Sequence, residues 1–405
     1  MISVDDALRK VLKAIKVIGK ETIALRDSLG RVLAEDIYSD SDIPGFDNSA
    51  MDGYALNFTD TTKASVEDPK ILEVIEDVKA GDIPKKKLNK LQAIRIMTGA
   101  ILPKDADAVV MVEVTKKVKI KGKEFVEIYK CAKRNENVRR AGEDIKKGEL
   151  VLRNGTLLNS AHIGVLASVG KSKVRVARKP MVAILATGNE VIDVNERLTP
   201  GKIRSSNSYT LYSQVISAGG IAKNLGIAKD TPSQLINKIK QSLGCDLLIT
   251  SGGVSVGDYD LVKDILSKLG TNIEFWKVAM RPGKPMVFGL IRGIPVFGLP
   301  GNPVSSMVAF EVFVRPAIAK MLNQSAPSRK EAEAILQEDI SKKKGLRYFL
   351  RGNTTWRNSS YQARTTGPQG SGILKSMAQA NSLIILPEEK EFIKKGSKVK
   401  VRLLD

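Results

Sequence analysis

Four carboxylates and three cations stand where short apolar runs give way to glycine, proline and hydroxyl residues. Glu190 follows the TG of TGNE, Asp230 ends a Lys-Asp pair, and Asp258 and Asp260 close the stretch TSGGVSVGDYD. Lys277 and the Arg281–Lys284 pair around Pro282-Gly283 supply positive charge. Carboxylate oxygens of this kind suit a magnesium ion that bridges to phosphate, because Mg²⁺ prefers one or two carboxylates plus substrate oxygens. A rigid turn carrying two cations suits an oxyanion. Asp52, in MDGYAL, is a further candidate, although an Asp-Gly turn entering a strand explains it equally well. The same holds for Asp230, which as a single residue reads as an N-terminal cap for a helix starting near Pro232.

Positioning such groups requires strands that end in loops. Cys245–Ile249 reads as a short apolar strand, and the run from Thr250 to Gly257 as the loop behind it. Gly252 and Gly253 can take positive φ and turn backbone N–H groups toward an anion. Asp258 and Asp260 open the apolar pattern of the next helix, a position that an N-cap role for Asp258 alone also explains. From about Pro180 strands and helices alternate, which predicts a doubly wound, mostly parallel α/β/α sheet. Ligands of such sheets bind at the carboxyl ends of strands, and the unusual loops fall there. These are TGNE, the Lys-Asp pair, TSGGVSVGDYD, MRPGKP and LPGNPVSS, the last with Pro300 and Pro303 bracing the backbone before Ser305 and Ser306.

The rest of the chain is mostly β. Ser3 and Asp6 predict a helix start, alternating apolar runs fill the stretch to about Asn137 with a hairpin at Lys121-Gly122, and β patterns return after Ala326. The expectation is a multi-domain α/β plus β fold: residues 1–46 with 138–178 as a composite N-terminal domain, 47–137 as an inserted small β domain, 179–325 as the α/β domain, and 326–405 as a β-barrel-like domain.

Composition removes several alternatives. A single histidine, His162, in an apolar helical stretch, takes Ser-His-Asp catalysis and histidine-bound zinc out of contention. The two cysteines, Cys131 and Cys245, fit neither a disulfide framework nor a zinc motif. With 65 Lys and Arg against 44 Asp and Glu the formal charge is +21, which favours anionic partners. Basic runs such as Lys342–Lys344 lack interleaved aromatics, so they read as solvated faces and not as a nucleic-acid surface. No apolar run reaches the ~20 residues of a membrane span, and MISVDDALRK has no leader pattern, so the expected location is cytoplasmic.

In order along the chain, DNSAMDGYA, MTGAILPKDADAVVMVE, RRAGEDIKKGE, TGNE, SGGVSVGDYD, PGKP, LPGNPVSS and TTGPQGSG resemble the MoeA-type molybdopterin molybdenumtransferases and the gephyrin E domain. The resemblance implies a cytoplasmic homodimer of four-domain subunits that inserts molybdate or tungstate into adenylylated molybdopterin, with Mg²⁺ and release of AMP. The adenylyltransferase that makes this substrate and the apo-molybdoenzymes that take the product are the implied protein partners. A scaffold that keeps the fold without the chemistry is the rival. By motif, the catalytic set would be Asp52, Asp144, Glu190, Asp230, Asp260 and Lys277, with Glu190, Asp258 and Asp260 as metal ligands. Substrate would lie on Thr187, Gly188, Ser251, Gly252, Gly253, Ser255, Gly257, Lys284, Pro300, Gly301, Asn302 and Pro303. The oxyanion would meet Arg281, Pro282, Ser305, Arg351 and Ser371. Many relatives have lysine before PGKP where this chain has Arg281, a planar fork in place of a point charge.

Overall fold

The computed structural model describes residues 1–253, 261–326 and 329–404. The chain forms two compact units, one of Met1–Glu35, Asn154–Asn159 and Val174–Asp405, the other of Asp36–Arg153 and Ser160–Lys173.

The α/β sheet of the first unit explains most of its core. Its strands are β1 (Met181–Thr187), β2 (Ile221–Ala228), β3 (Leu247–Ser251), β4 (Asn272–Trp276), β5 (Val287–Ile291) and β6 (Ile294–Leu299), in the order β2-β1-β3-β6-β5-β4. β2, β1, β3 and β6 are parallel, and β5 runs antiparallel to both β6 and β4. Such a strand is apolar throughout because both faces are covered. Thus Val182 and Ile184 of β1 pack on one side with Leu211 and Val215 of α2 (Ser206–Ser217). Ala183 and Leu185 pack on the other with Leu235 and Ile239 of α3 (Pro232–Gln241) and with Ile265 and Leu266 of α4 (Leu261–Lys268). Each fully buried side chain of this kind contributes about 1.5–3 kcal/mol. The N-terminal helix Val4–Ala14 buries Val4, Ala7 and Val11 in the same core, and its expected cap is present: Ser3 Oγ accepts from the Asp6 N–H at 3.0 Å.

Chain order β1, β2, β3 against spatial order β2-β1-β3 puts a topological switch between β1 and β3. β3 extends beyond the sequence expectation. Thr250 and Ser251 belong to the strand, because ladders on both sides pair them with Leu185 and Ala186 of β1 and with Gly298 and Leu299 of β6.

Behind the α/β module, β7 (Glu331–Leu336), β8 (Arg347–Arg357), β9 (Ser360–Thr365), β10 (Ser382–Leu386) and β11 (Lys398–Leu403) pair as β8-β9-β7-β11-β10. Closure of β10 onto β8 makes a five-stranded barrel. Met280–Arg281, in the stretch before β5, adds to the barrel as a short parallel strand on Arg347–Tyr348, and so carries Arg281 to the barrel.

The second unit holds a six-stranded sheet built from Gly53–Leu56, Lys70–Val78, Gln92–Ile96, Ala108–Met111, Thr115–Ile120 and Lys123–Ile128. The hairpin turn has positive φ at Lys121 and Gly122, 49° and 83°. Asn48–Ser49 pairs with Val138–Arg139, so the DNSAMDGY and RRAGEDI segments are neighbours.

Candidate functional site

A cavity of about 550 Å³ opens at the carboxyl ends of β1, β3 and β6. Its lining includes eleven of the expected residues: Thr187, Gly188, Glu190, Asp230, Ser251, Gly252, Gly253, Pro300, Gly301, Asn302 and Pro303. The walls meet closely across the switch. Gly252 has φ +99°, and a Cβ there would sit 2.7 Å from the Thr187 carbonyl oxygen. Only glycine permits that approach. At the rim, Glu190 curls back over Gly188, where a Cβ would lie 2.6 Å from its Oε2.

Asp230 does not cap the helix behind it, contrary to the local reading of the sequence. The N-cap of α3 is Thr231, and Asp230 instead accepts from the Asn189 N–H at 3.0 Å while its own N–H donates to Asn189 Oδ1 at 3.2 Å. This reciprocal pair ties the loop after β2 to the loop after β1 and leaves Glu190 and Asp230 on one cavity.

Two lining residues escaped the sequence reading. Arg204 is the one cation among the described lining residues, and its Nε donates to the Val194 carbonyl at 3.2 Å. Asn207, in the first turn of α2, is 8% exposed. Its Nδ2 donates to Ser251 Oγ and to the Gly301 carbonyl, both at 2.8 Å. The only sequence signal was the hydroxyl-rich run RSSNS before an amphipathic helix.

A second cavity, of about 740 Å³, lies where the barrel meets the Met280–Arg281 strand, and Arg281, Pro282 and Arg351 line it. The segment Arg281–Pro285 connects the two, with Pro282 on this cavity and Pro285 on the sheet-end one. Arg281 is exposed, with its guanidinium carbon 5.6 Å from the Tyr348 ring centre. Arg351 is fully buried. Its Nε donates to Ser376 Oγ at 3.0 Å, Nη1 to the Gln369 carbonyl at 3.2 Å, and Nη2 to the carbonyls of Pro368 and Gly370 at 3.3 and 2.9 Å. No carboxylate pairs with it among the described residues, and burial pushes its pKa down to about 10. The Lys342–Lys344 run is not all solvated face. Lys342 is 8% exposed, places its Nζ 5.0 Å from the centre of the Tyr348 ring, and donates to the Leu346 carbonyl at 3.0 Å. Burial lowers its pKa.

Other expected residues fall outside these walls. Lys277 places its Nζ 4.5 Å over the Trp276 ring, and Lys284 is exposed on the connecting segment. Ser305 is buried in α5 (Pro303–Ala309), and the Ser371 carbonyl accepts from the Val304 N–H at 3.1 Å. Ser255, Gly257, Asp258 and Asp260 lie outside the described residues.

Asp52 and Asp144 belong to the second unit. Asp52 accepts from the Thr98 N–H and Oγ1, both at 2.7 Å, and these bonds hold its carboxyl below the usual range. Asp144 is exposed, and its loop is tied down by Asp47, which accepts from Arg140 and from the Ala141 N–H at 2.8 Å. Burial raises the Asp47 pKa, but those two donors outweigh it and the net shift is downward.

Fold and cavities together define a multidomain α/β protein with a glycine-walled cavity at the carboxyl edge of its sheet and a second cavity, lined by arginine and lysine, at its barrel. Residues 2–170 match the "MoeA N-terminal region (domain I and II)", 183–320 the "Probable molybdopterin binding domain", and 333–404 the "MoeA C-terminal region (domain IV)". The chain is 40% identical over 404 residues to the molybdopterin molybdenumtransferase of Bacillus subtilis (strain 168), covering 100% of this chain and 94% of that one. It is 39% identical over 405 residues to that of Staphylococcus epidermidis, with 100% and 96% covered. The crystal structure of the molybdopterin biosynthesis moeA protein of Pyrococcus horikoshii OT3 superposes with a TM-score of 0.86 at 33% identity, over 100% of both chains. The chain belongs to the MoeA family of molybdopterin molybdenumtransferases.

Proposed function

We infer that the protein is a molybdopterin molybdenumtransferase of molybdenum cofactor biosynthesis, which inserts molybdate into adenylylated molybdopterin and releases AMP. The observation that carries this reading is the pairing of a glycine-walled, carboxylate-rimmed cavity with a cation-lined one along the Arg281–Pro285 segment. In this reading the phosphoanhydride lies over the backbone at Gly252, Gly253 and Gly301, with Arg204 countering its charge. Molybdate, or tungstate of like shape and charge, lies beside Arg281 and Arg351, near Ser371 and Ser305. Lys284, on the segment that connects the two, and Lys277 add positive charge for the same anions.

The residues present fit a magnesium ion. Glu190 and Asp230 line one cavity and together offer the one or two carboxylates Mg²⁺ prefers. Among the described residues no group of three or more His, Cys, Asp or Glu could hold a metal alone, so substrate oxygens would complete the shell. Bound there, the ion would offset charge on the phosphates as the anhydride opens. Glu190 and Asp230 would hold it, and the Asn189 bracket would keep Asp230 in place. Asp52 and Asp144 enter as acids of the same reaction, and the four-domain division and homodimer are part of the reading. Light scattering checks the dimer, which should give twice 44.1 kDa, whereas a monomer at micromolar concentration would contradict it.

Following AMP release from adenylylated molybdopterin with Mg²⁺ and each oxyanion tests the reaction. For the oxyanion site, Arg281→Ala should raise the molybdate concentration for half-maximal turnover about 10-fold or more, the scale of one lost charge-assisted contact. Affinity for the adenylylated pterin, measured by calorimetry, should change far less. The opposite pattern would place Arg281 on the phosphates.

A further inference from the structure

Asn207 is held more firmly than a helix start requires. Nδ2 lies 2.8 Å from both Ser251 Oγ and the Gly301 carbonyl, so one amide joins the end of β3 to the loop after β6. The carbonyl can only accept, which fixes the nitrogen on that side and the oxygen on the other. That oxygen, Oδ1, is buried and has no hydrogen-bond partner among the described residues. A buried acceptor left unpaired costs about 1–3 kcal/mol, and one beside a ligand cavity that it lines is explained when a ligand pairs it.

Phosphate oxygens cannot be that ligand group, because they too accept. We propose that Asn207 is a substrate-binding residue whose Oδ1 accepts a hydrogen bond from an N–H or O–H donor of the adenylylated pterin. The proposal rests on the function inferred above. The donor belongs either to the nucleotide, as ribose hydroxyl or adenine amino group, or to the pterin ring N–H edge. In both cases the amide distinguishes the organic part of the substrate, while the neighbouring glycine backbone suits its phosphates. Asn207 is thus a specificity determinant, since a site with a buried acceptor rejects analogues that lack the donor.

Calorimetric binding of AMP and of molybdopterin, each to wild type and Asn207→Ala, tests this, with thermal melting to confirm the fold. A loss of about 10-fold or more for one probe, with the other within 2-fold, supports the proposal and names the half that carries the donor. Both affinities within 2-fold of wild type overturn it. Equal losses for both probes are what a collapsed brace between β3 and the loop after β6 gives, and also overturn it. If Asn207→Ala does not fold, Asn207→Asp replaces it, because the carboxylate keeps the acceptor and loses the donor. Retained binding of either probe then supports an acceptor role, and loss of both overturns it. Wild-type protein that binds neither probe would instead reject the function on which the proposal stands.

Discussion

Glu311→Ala is expected to lower the free energy of unfolding by about 3–5 kcal/mol, the cost of leaving a buried charge without its partner. Glu311 is 3% exposed. Its carboxylate accepts from Arg315 Nε at 2.6 Å and Nη2 at 2.9 Å, from Arg329 Nε at 3.2 Å, and from Gln214 Nε2 at 3.0 Å. Arg402 donates to its backbone carbonyl at 3.1 Å, which ties barrel strand β11 to the same residue. Removing the acid leaves two guanidinium groups facing each other across the junction of α/β module and barrel. Burial pushes the Glu311 pKa up, but Arg315 and then Arg329 outweigh it, so the folded value lies below 4.5. A depressed folded pKa means that this stabilisation is present above pH 4.5 and is lost as pH falls through the folded value. Urea unfolding at neutral pH measures the difference. A loss below about 1 kcal/mol would mean the pair does no more than a surface salt bridge.

The largest effect on turnover is expected at Arg351. Arg351→Ala should reduce molybdate-dependent AMP release about 100-fold at limiting molybdate, the equivalent of one lost charge-assisted contact to a dianion at roughly 3 kcal/mol. Four of the five guanidinium N–H groups hold Ser376 and the carbonyls of residues 368–370, and one N–H of Nη1 is left for an anion. A buried cation with only neutral partners is poorly compensated, and an incoming dianion corrects that. Raising molybdate should recover part of the rate, because the charge of Arg281 remains. If turnover at limiting molybdate stayed within a few-fold of wild type while the melting temperature fell, Arg351 would serve the 368–370 loop alone.

What the sequence made legible was local. TGNE, SGG and LPGNP each combine a strand end with glycine or proline, and all three line one cavity. The barrel and the α/β sheet follow from periodicity in the same way. Long-range partners were not legible. Asp230 reads as a helix cap because nothing nearby shows that Asn189, 41 residues earlier, claims its carboxylate. Lys342 reads as solvated because it begins a lysine run, yet with Ile340–Ser341 paired to Phe392–Ile393 it is buried beside the Tyr348 ring while Lys343 and Lys344 stay exposed. Asn207 and Arg204 sit in a stretch of hydroxyl residues that looks like an ordinary helix entrance. Their importance depends on β3 and β6 arriving beside them, which only the tertiary structure shows.

The reaction itself is the most direct test, since a scaffold with the same fold would bind the pterin nucleotide without consuming it. Purified protein incubated with adenylylated molybdopterin and Mg²⁺ should release AMP only when molybdate or tungstate is added, at a rate that saturates with the oxyanion. Adenylylated molybdopterin bound with measurable affinity, but no AMP released above the protein-free rate with either oxyanion, would contradict the account.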